Sequence, residues 1–339
     1  MTVREFVRMF GRVQMLPVLE SGEETLIGGQ AVMEGVMMRA PHAYCIAVRK
    51  PDGTIVTESK PISKVSEKYP IFKYPVLRGL GTLGQAMVLG YKSLQYSANV
   101  AVDAAPALLN MIAPGCMGTA GEGKKPAFSN AVMTVQLLLS LAFFIFAYKL
   151  VPLWITTKLS AAFPALGGRI AFNFVDGMIR IAIFLMFMWL MSQWKDIRRV
   201  FEYHGAEHRV VFNYESGKPV TVPTAQSFTT FHPRCGTSFL ITVMLISMAV
   251  YTVLPFDSFA GRMASRIVCL PLIAGLSYEL IRFAAKRRGS LLALLTMPGL
   301  WLQRITTKPP TDDQTEIAIT ALEGAMSLEK SNGGELVIA

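Results

Sequence analysis

Charged side chains are scarce in this chain: Asp, Glu, Lys and Arg make up 17% of 339 residues, whereas soluble domains carry about a quarter. A water-exposed surface of ordinary charge density cannot be assembled from that list. Cysteine is rarer still, and Cys45, Cys116, Cys235 and Cys269 show no CxxC and no framework spacing. A disulfide scaffold is therefore not expected, and a reducing compartment fits. The sequence also lacks a nucleotide-binding glycine loop and a GxSxG nucleophile elbow, which argues against an NTP-driven pump and a serine hydrolase. Its N-terminus alternates Arg4, Arg8 and Arg12 with Val3, Phe6, Phe10 and Val13 but leads into no apolar h-region. That pattern reads as a short basic amphipathic helix on a membrane surface rather than a cleaved signal.

What is abundant is apolar, 52% of the chain, and it comes in blocks. Ala131 to Tyr148 is eighteen residues without a charge, extendable to Ile155 past a snorkelling Lys149, and Gly236 to Phe256 is twenty-one. Each suits one helical crossing. Ile170 to Trp194 and Met263 to Ala284 are also long enough, but they hold Asp176 and Arg180, and Arg266, Glu279 and Arg282. Charges at such depth cost at least a few kcal/mol each unless paired. Asp176 and Arg180, four apart, share a helix face; they read as a structural salt bridge or as part of an ion or substrate path.

The net charge of +10 is unevenly placed. Fourteen Lys and Arg precede the first block, the next loop has only Lys158 and Arg169, and the second loop has six. The third has Arg262, with Arg266 at its border, and the C-terminal stretch is rich again. Rich and poor loops alternating in this way predict four spans in a plasma membrane with both termini cytoplasmic. The positive charge is thus a topology signal, aided by anionic lipid, and no nucleic-acid partner is expected.

The chain divides into a basic segment (1–24), a Gly-rich and β-hairpin module (25–78), an interfacial helix and linker (79–128), and spans 1 and 2 (129–195). A His-rich loop (196–235), spans 3 and 4 (236–284), an interfacial segment (285–308) and an acidic tail (309–339) follow. Tyr44–Lys50 and Thr54–Lys60 flank Pro51-Asp52-Gly53, a turn signature, and predict a β-hairpin. Gly79 to Ala105 reads as an amphipathic interfacial or re-entrant helix, and Ser290 to Gln303, broken at Pro298-Gly299, as interfacial. In the tail, Ile319, Leu322 and Met326 predict a short docked helix, with disorder beyond Ser331.

Three of the four histidines fall within 29 residues of the second loop. His204 and His208 stand four apart, one helix face if the second span runs on past Lys195. His232 and Cys235 come just before the third block. The order H-x-x-E-H is that of inverzincins, in which two histidines bind zinc and the carboxylate is the base. Zinc takes about four N, S or O ligands, so His232 or Cys235 would add a third, and Glu207 or Glu202 would accept a proton from bound water. Against this, Gly205 weakens a helix by about 1 kcal/mol and marks close packing equally well. Pro233 and Gly236 also suit a simple helix start, and Cys235 a small buried residue. Glu34 and Arg39 read as an ion pair or surface charges in a glycine-rich turn, or, with Arg234, as contacts to substrate or to a ligating histidine.

The runs Ile27 to Arg39 (IGGQAVMEGVMMR), His204 to His208 (HGAEH) and His232 to Phe239 (HPRCGTSF), with Thr306 to Pro309 (TTKP), resemble the YqhQ-like family of bacterial multipass membrane proteins of unknown function. The resemblance spans about residues 25 to 325 and implies that these motifs form one site, of a metal-dependent enzyme with no reaction attached. The expected fold is mainly α: a polytopic transmembrane helix bundle of about four spans with a small α+β cytoplasmic region. The leading expectation is a metal-dependent hydrolase at the cytoplasmic membrane face that uses a divalent metal, zinc. The alternative is a non-catalytic scaffold or transport component whose His loop binds a partner or structural metal. Glycine-rich helix faces leave pairing with a second copy open.

Overall fold

The computed structural model describes residues 27–63, 65–101, 130–232, 235–286 and 297–332. The N-terminal basic helix, Cys116, Arg234 and the expected disorder beyond Ser331, from 333 on, lie outside the described residues. Helix dominates what is described, with one four-stranded sheet.

The sheet is an antiparallel meander of β1 (Gly28–Val32), β2 (Gly35–Arg39), β3 (Ala43–Arg49) and β4 (Ile55–Pro61). The β3–β4 hairpin is where the turn residues place it. The glycine-rich run upstream is also a hairpin, turned at Met33-Glu34, where Glu34 holds φ 51°. Alternation sorts the sheet's side chains onto two faces. Val36, Met38, Cys45 and Ala47 pack on one side against α5 (Lys195–Glu215) and α11 (Asp312–Ser331). Val32, Met37, Tyr44, Ile46 and Val48 pack on the other against Leu89 of α1 (Leu77–Ala101). The tail helix is thus twenty residues, much longer than its three apolar positions suggest.

A capping box starts α11: the Thr311 hydroxyl accepts from Gln314 N, and the Gln314 side chain accepts from Thr311 N. Thr311→Ala should lower stability by about 1 kcal/mol, read as a fall in the thermal midpoint of the purified protein.

The remaining helices include three long and apolar enough to cross a membrane, or four if one bent pair counts as a span. The first, Leu138–Ala162, runs through α2 (Asn130–Ile145), a π-helical turn at Phe146–Leu150 and α3 (Val151–Ala162). Pro152 has no N–H to give the carbonyl four residues back, and the widened turn takes up the mismatch. Lys149 is buried with Nζ 5.9 Å from the Tyr251 ring centre instead of snorkelling. The second and third are α4 (Arg169–Met191) and α7 (Gly236–Val253).

The condition set for the histidine pair is met in another way, and one expectation changes. The helix of the second span does not run on past Lys195: it ends at Met191, and α5 starts afresh after an extended Trp194. The fourth block is two helices, α8 (Phe259–Val268) and α9 (Leu270–Lys286), bent by 51° where Pro271 follows the break. Pro298-Gly299 opens α10 (Met297–Thr306) rather than breaking a helix, as suits a proline in a first turn.

Candidate metal centre

Amphipathic α5 lies across β1 and β2 with its apolar stripe in the sheet core, and this fixes which way its polar turn faces. His204 and His208, one turn apart, have ring centres separated by 4.4 Å. Cys235 caps the N-terminus of α7, where its Sγ accepts from Thr237 N and sits 3.2 Å from His204 Nε2. One ligand atom from each of His204, His208 and Cys235 lies within 4.8 Å of the other two. Metal bonds of about 2.1 Å to nitrogen and 2.3 Å to sulfur, at a tetrahedral angle, place ligand atoms about 3.5 Å apart. The His204–Cys235 pair is close to that spacing, and the whole set lies within 4.8 Å, so small side-chain shifts would bring it there.

The second nitrogen of each ring is already committed. His204 Nδ1 lies 2.8 Å from the carbonyl oxygen of Thr306, and His208 Nδ1 2.5 Å from that of Thr230. A carbonyl only accepts, so both Nδ1 atoms carry the proton and donate it, and each Nε2 keeps its lone pair for the cluster. Such outer partners orient and strengthen ligating histidines.

Burial supplies the matching electrostatics. It pushes the His208 imidazole down to about 4, with His204 beside it adding to the effect and Cys235 opposing it. It also takes His232 down to about 4, against a weaker pull from Glu207. At neutral pH both rings are therefore uncharged, the form that binds metal. Burial raises the Glu207 carboxyl, while His204, His232 and the Gly29 N–H work the other way. Its Oε2 is 3.5 Å from His208 Nε2. A side chain on Gly29 would occupy the space of the Glu207 Cγ, so the glycine of β1 lets the carboxylate lie against the strand.

His232 is close to the cluster but turned from it. Its ring lies tilted 5.5 Å from that of His208 and meets the Phe212 ring edge-on at 4.6 Å, and its Nε2 faces Glu215 at 3.6 Å. Gln303 of α10 clamps its backbone, accepting from His232 N and donating to His232 O, both at 2.7 Å, and donates to Ser238 Oγ at 3.0 Å. Glu202 faces away, toward Gln314 at 3.0 Å and Arg198 at 3.8 Å. Glu34 and Arg39 do not pair with each other. Glu34 binds Arg199 and Tyr203 on α5, whereas Arg39 donates to Gln85 of α1 at 3.0 Å. Asp176, Arg180 and Arg266 come together elsewhere, while Glu279 joins Arg78 and the N–H of Val76, with Arg282 three residues on.

Sequence reasoning missed the supporting atoms: the carbonyls of Thr230 and Thr306, the Gly29 N–H and the Gln303 clamp. Two runs did carry a signal: Gly29 lies in the IGGQAV run, and the first residue of TTKP carries the carbonyl that His204 needs.

Fold and site together define a mainly helical protein with three to four apolar helices and a His2Cys cluster between a small sheet and the helix ends. Residues 74–328 match the family described as Protein of unknown function (DUF1385), and the chain belongs to that family. It is 33% identical over 306 residues to the Uncharacterized protein YqhQ of Bacillus subtilis (strain 168), covering 89% of this chain and 92% of that protein. No solved structure matches.

Proposed function

We propose that this chain is an integral protein of the bacterial inner membrane whose His204, His208 and Cys235 hold a divalent metal, zinc, at the cytoplasmic face. The single observation that carries the metal is the pair of committed Nδ1 atoms, which leaves two bare Nε2 atoms converging on one thiol. A membrane location is supported by the surface of the helices: all four tryptophans, with Leu138, Phe143, Phe174 and Met186, are exposed. Apolar surface on that scale suits lipid, and aromatic rings collect at its boundary. The alternation of basic loops supports cytoplasmic termini.

The finer reading is a metal-dependent hydrolase acting on a membrane-associated substrate. Three protein ligands leave a fourth position, where bound metal would lower the pKa of water. Glu207 is the general base: its raised carboxyl affinity for protons and its place beside His208 suit it to take and return one. A second reading, a non-catalytic scaffold with a structural metal, is favoured by the burial of His208, Glu207 and Cys235.

Elemental analysis tests the metal. Wild type should hold about one ion per chain, and His204→Ala and Cys235→Ala less than about a tenth of that. A folded wild type that holds no metal after purification without chelator ends the proposal. Cobalt substitution separates the two readings: a visible spectrum that shifts with azide marks an exchangeable fourth position, and one that does not marks a closed structural site.

A further inference from the structure

At the opposite end of α4 and α7, about 20 Å along the helices from Cys235, lies a second polar centre that the metal chemistry does not use. Asp176, Arg180 and Arg266 are each 1% exposed. The Asp176 carboxylate pairs with Arg180 Nη2 and lies 2.9 Å from Arg266 Nη2. Arg180 also donates to Ser247 Oγ at 3.2 Å, and Arg266 to the Arg262 carbonyl at 3.1 Å and Asn173 Oδ1 at 3.4 Å. Both guanidiniums face the ring of Tyr251, as does Lys149, 4% exposed.

The charges do not balance. Among the described residues two buried guanidiniums share one buried carboxylate, and the Nε of Arg180 and of Arg266, like Asp176 Oδ1, have no hydrogen-bond partner. Two guanidiniums that share a single carboxylate in apolar surroundings carry an excess positive charge, which a further anion would offset. A pocket beside the cluster is lined by Arg169, Asn173, Tyr251, Arg262, Ser265 and Arg266, with Leu254 and Phe256 as an apolar edge. Two of the lining arginines also face a carboxylate, Asp257, which is 71% exposed on its side chain and stands 3.8 Å from Arg169 Nε and 3.7 Å from Arg262 Nη2. The Tyr251 and Ser265 hydroxyls and the Asn173 amide already donate to backbone carbonyls, so recognition falls to the three guanidiniums, whose forked N–H groups suit a tetrahedral oxyanion.

We propose that this pocket binds a phosphate oxyanion, presented by an anionic phospholipid headgroup or by free phosphate, with Arg169, Arg262 and Arg266 as its cationic ligands. Phosphate would complete the charge of the cluster, and Leu254 and Phe256 would meet the glycerol and first methylenes of a lipid. The headgroup source rests on the proposed membrane crossing; the oxyanion chemistry does not.

The test uses the full chain in neutral detergent at fixed ionic strength, titrated with dioleoyl-phosphatidylglycerol, with dioleoyl-phosphatidylcholine, or with inorganic phosphate against chloride. Phosphatidylglycerol at roughly a hundredfold over its Kd should raise the thermal midpoint by about 4 °C or more, and phosphatidylcholine should not. Arg262→Gln should abolish the shift. So should Arg169→Gln, whose side chain is half exposed and can change without disturbing the fold. A shift with phosphate but not with the lipid assigns the site to the free ion. No shift with either probe, or an equal shift in both variants, overturns the proposal. Metal content, read on the same samples, should stay at the wild-type value in both variants, so loss of the oxyanion site and failure of the metal reading are told apart.

Discussion

Asp176→Asn should be the most destabilising conservative substitution among the buried charges, lowering stability by about 3 to 5 kcal/mol. The carboxylate is shared by Arg180 and Arg266, and among the described residues neither arginine has another acidic partner at that depth. Asparagine keeps the shape and removes the charge, so the loss reports the cost of two buried guanidiniums left without an anion. A packing defect is told apart by the triple change Asp176→Leu, Arg180→Met and Arg266→Met. Replacing a whole buried ionic set by apolar groups of similar volume is commonly neutral or stabilising, so the triple variant should recover most of the midpoint lost by the single one. Unfolding followed by tryptophan fluorescence in detergent is the measurement. A single variant within about 1 kcal/mol of wild type would show that Asp176 does not hold the arginines, since even average point changes reach that size. The same substitution leaves the pocket more positive, and stabilisation by phosphatidylglycerol should therefore grow in Asp176→Asn while it disappears in the triple variant.

What the sequence reveals depends on how local each signal is. The spacing of His204 and His208, and the length of the uncharged run before Asp257, are properties of a few neighbouring residues, and both survive in the structure. The β3–β4 hairpin was legible for the same reason, because Pro51-Asp52-Gly53 is a turn in itself. The β1–β2 hairpin was not, since its two-residue turn uses Met33 and Glu34 in place of the usual Asn-Gly or Asp-Gly. Glu34 tolerates φ 51° there, and its carboxylate is held by Arg199 and Tyr203, 165 and 169 residues away. No local pattern announces such a contact. The bend between α8 and α9 did have a signal in Pro271, which hydropathy counting overlooks because proline sits in an otherwise apolar run. The choice between His232 and Cys235 was beyond sequence, because it turns on the Gln303 clamp that aims the loop.

Gly205→Ala should damage the metal centre without touching a ligand. By helix propensity alone the change would stabilise α5 by about 1 kcal/mol. The added methyl, however, would overlap the carbonyl oxygen of Lys308 and lie 3.3 Å from Thr230 Cγ2. Those two segments supply the acceptors for the metal-facing rings, Thr306 O for His204 and Thr230 O for His208, and Lys308 N is itself bonded to Phe201 O at 2.9 Å. To admit the methyl, the TTKP segment must retreat from α5, and both imidazoles lose the partner that fixes their tautomer and aim. Overpacking of this kind costs about 1 to 3 kcal/mol, which outweighs the gain in propensity, and loss of the outer partners should weaken metal binding about 10- to 100-fold. Chelator competition reads the affinity and a thermal scan the stability. Gly84→Ala in α1 is the control, because a Cβ there meets nothing within 4 Å; it should stabilise by up to about 1 kcal/mol and leave metal affinity unchanged. If Gly205→Ala behaved like Gly84→Ala in both assays, the carbonyls of Thr230 and Thr306 would not be holding the histidines, and the glycine of the HGAEH run would need another explanation.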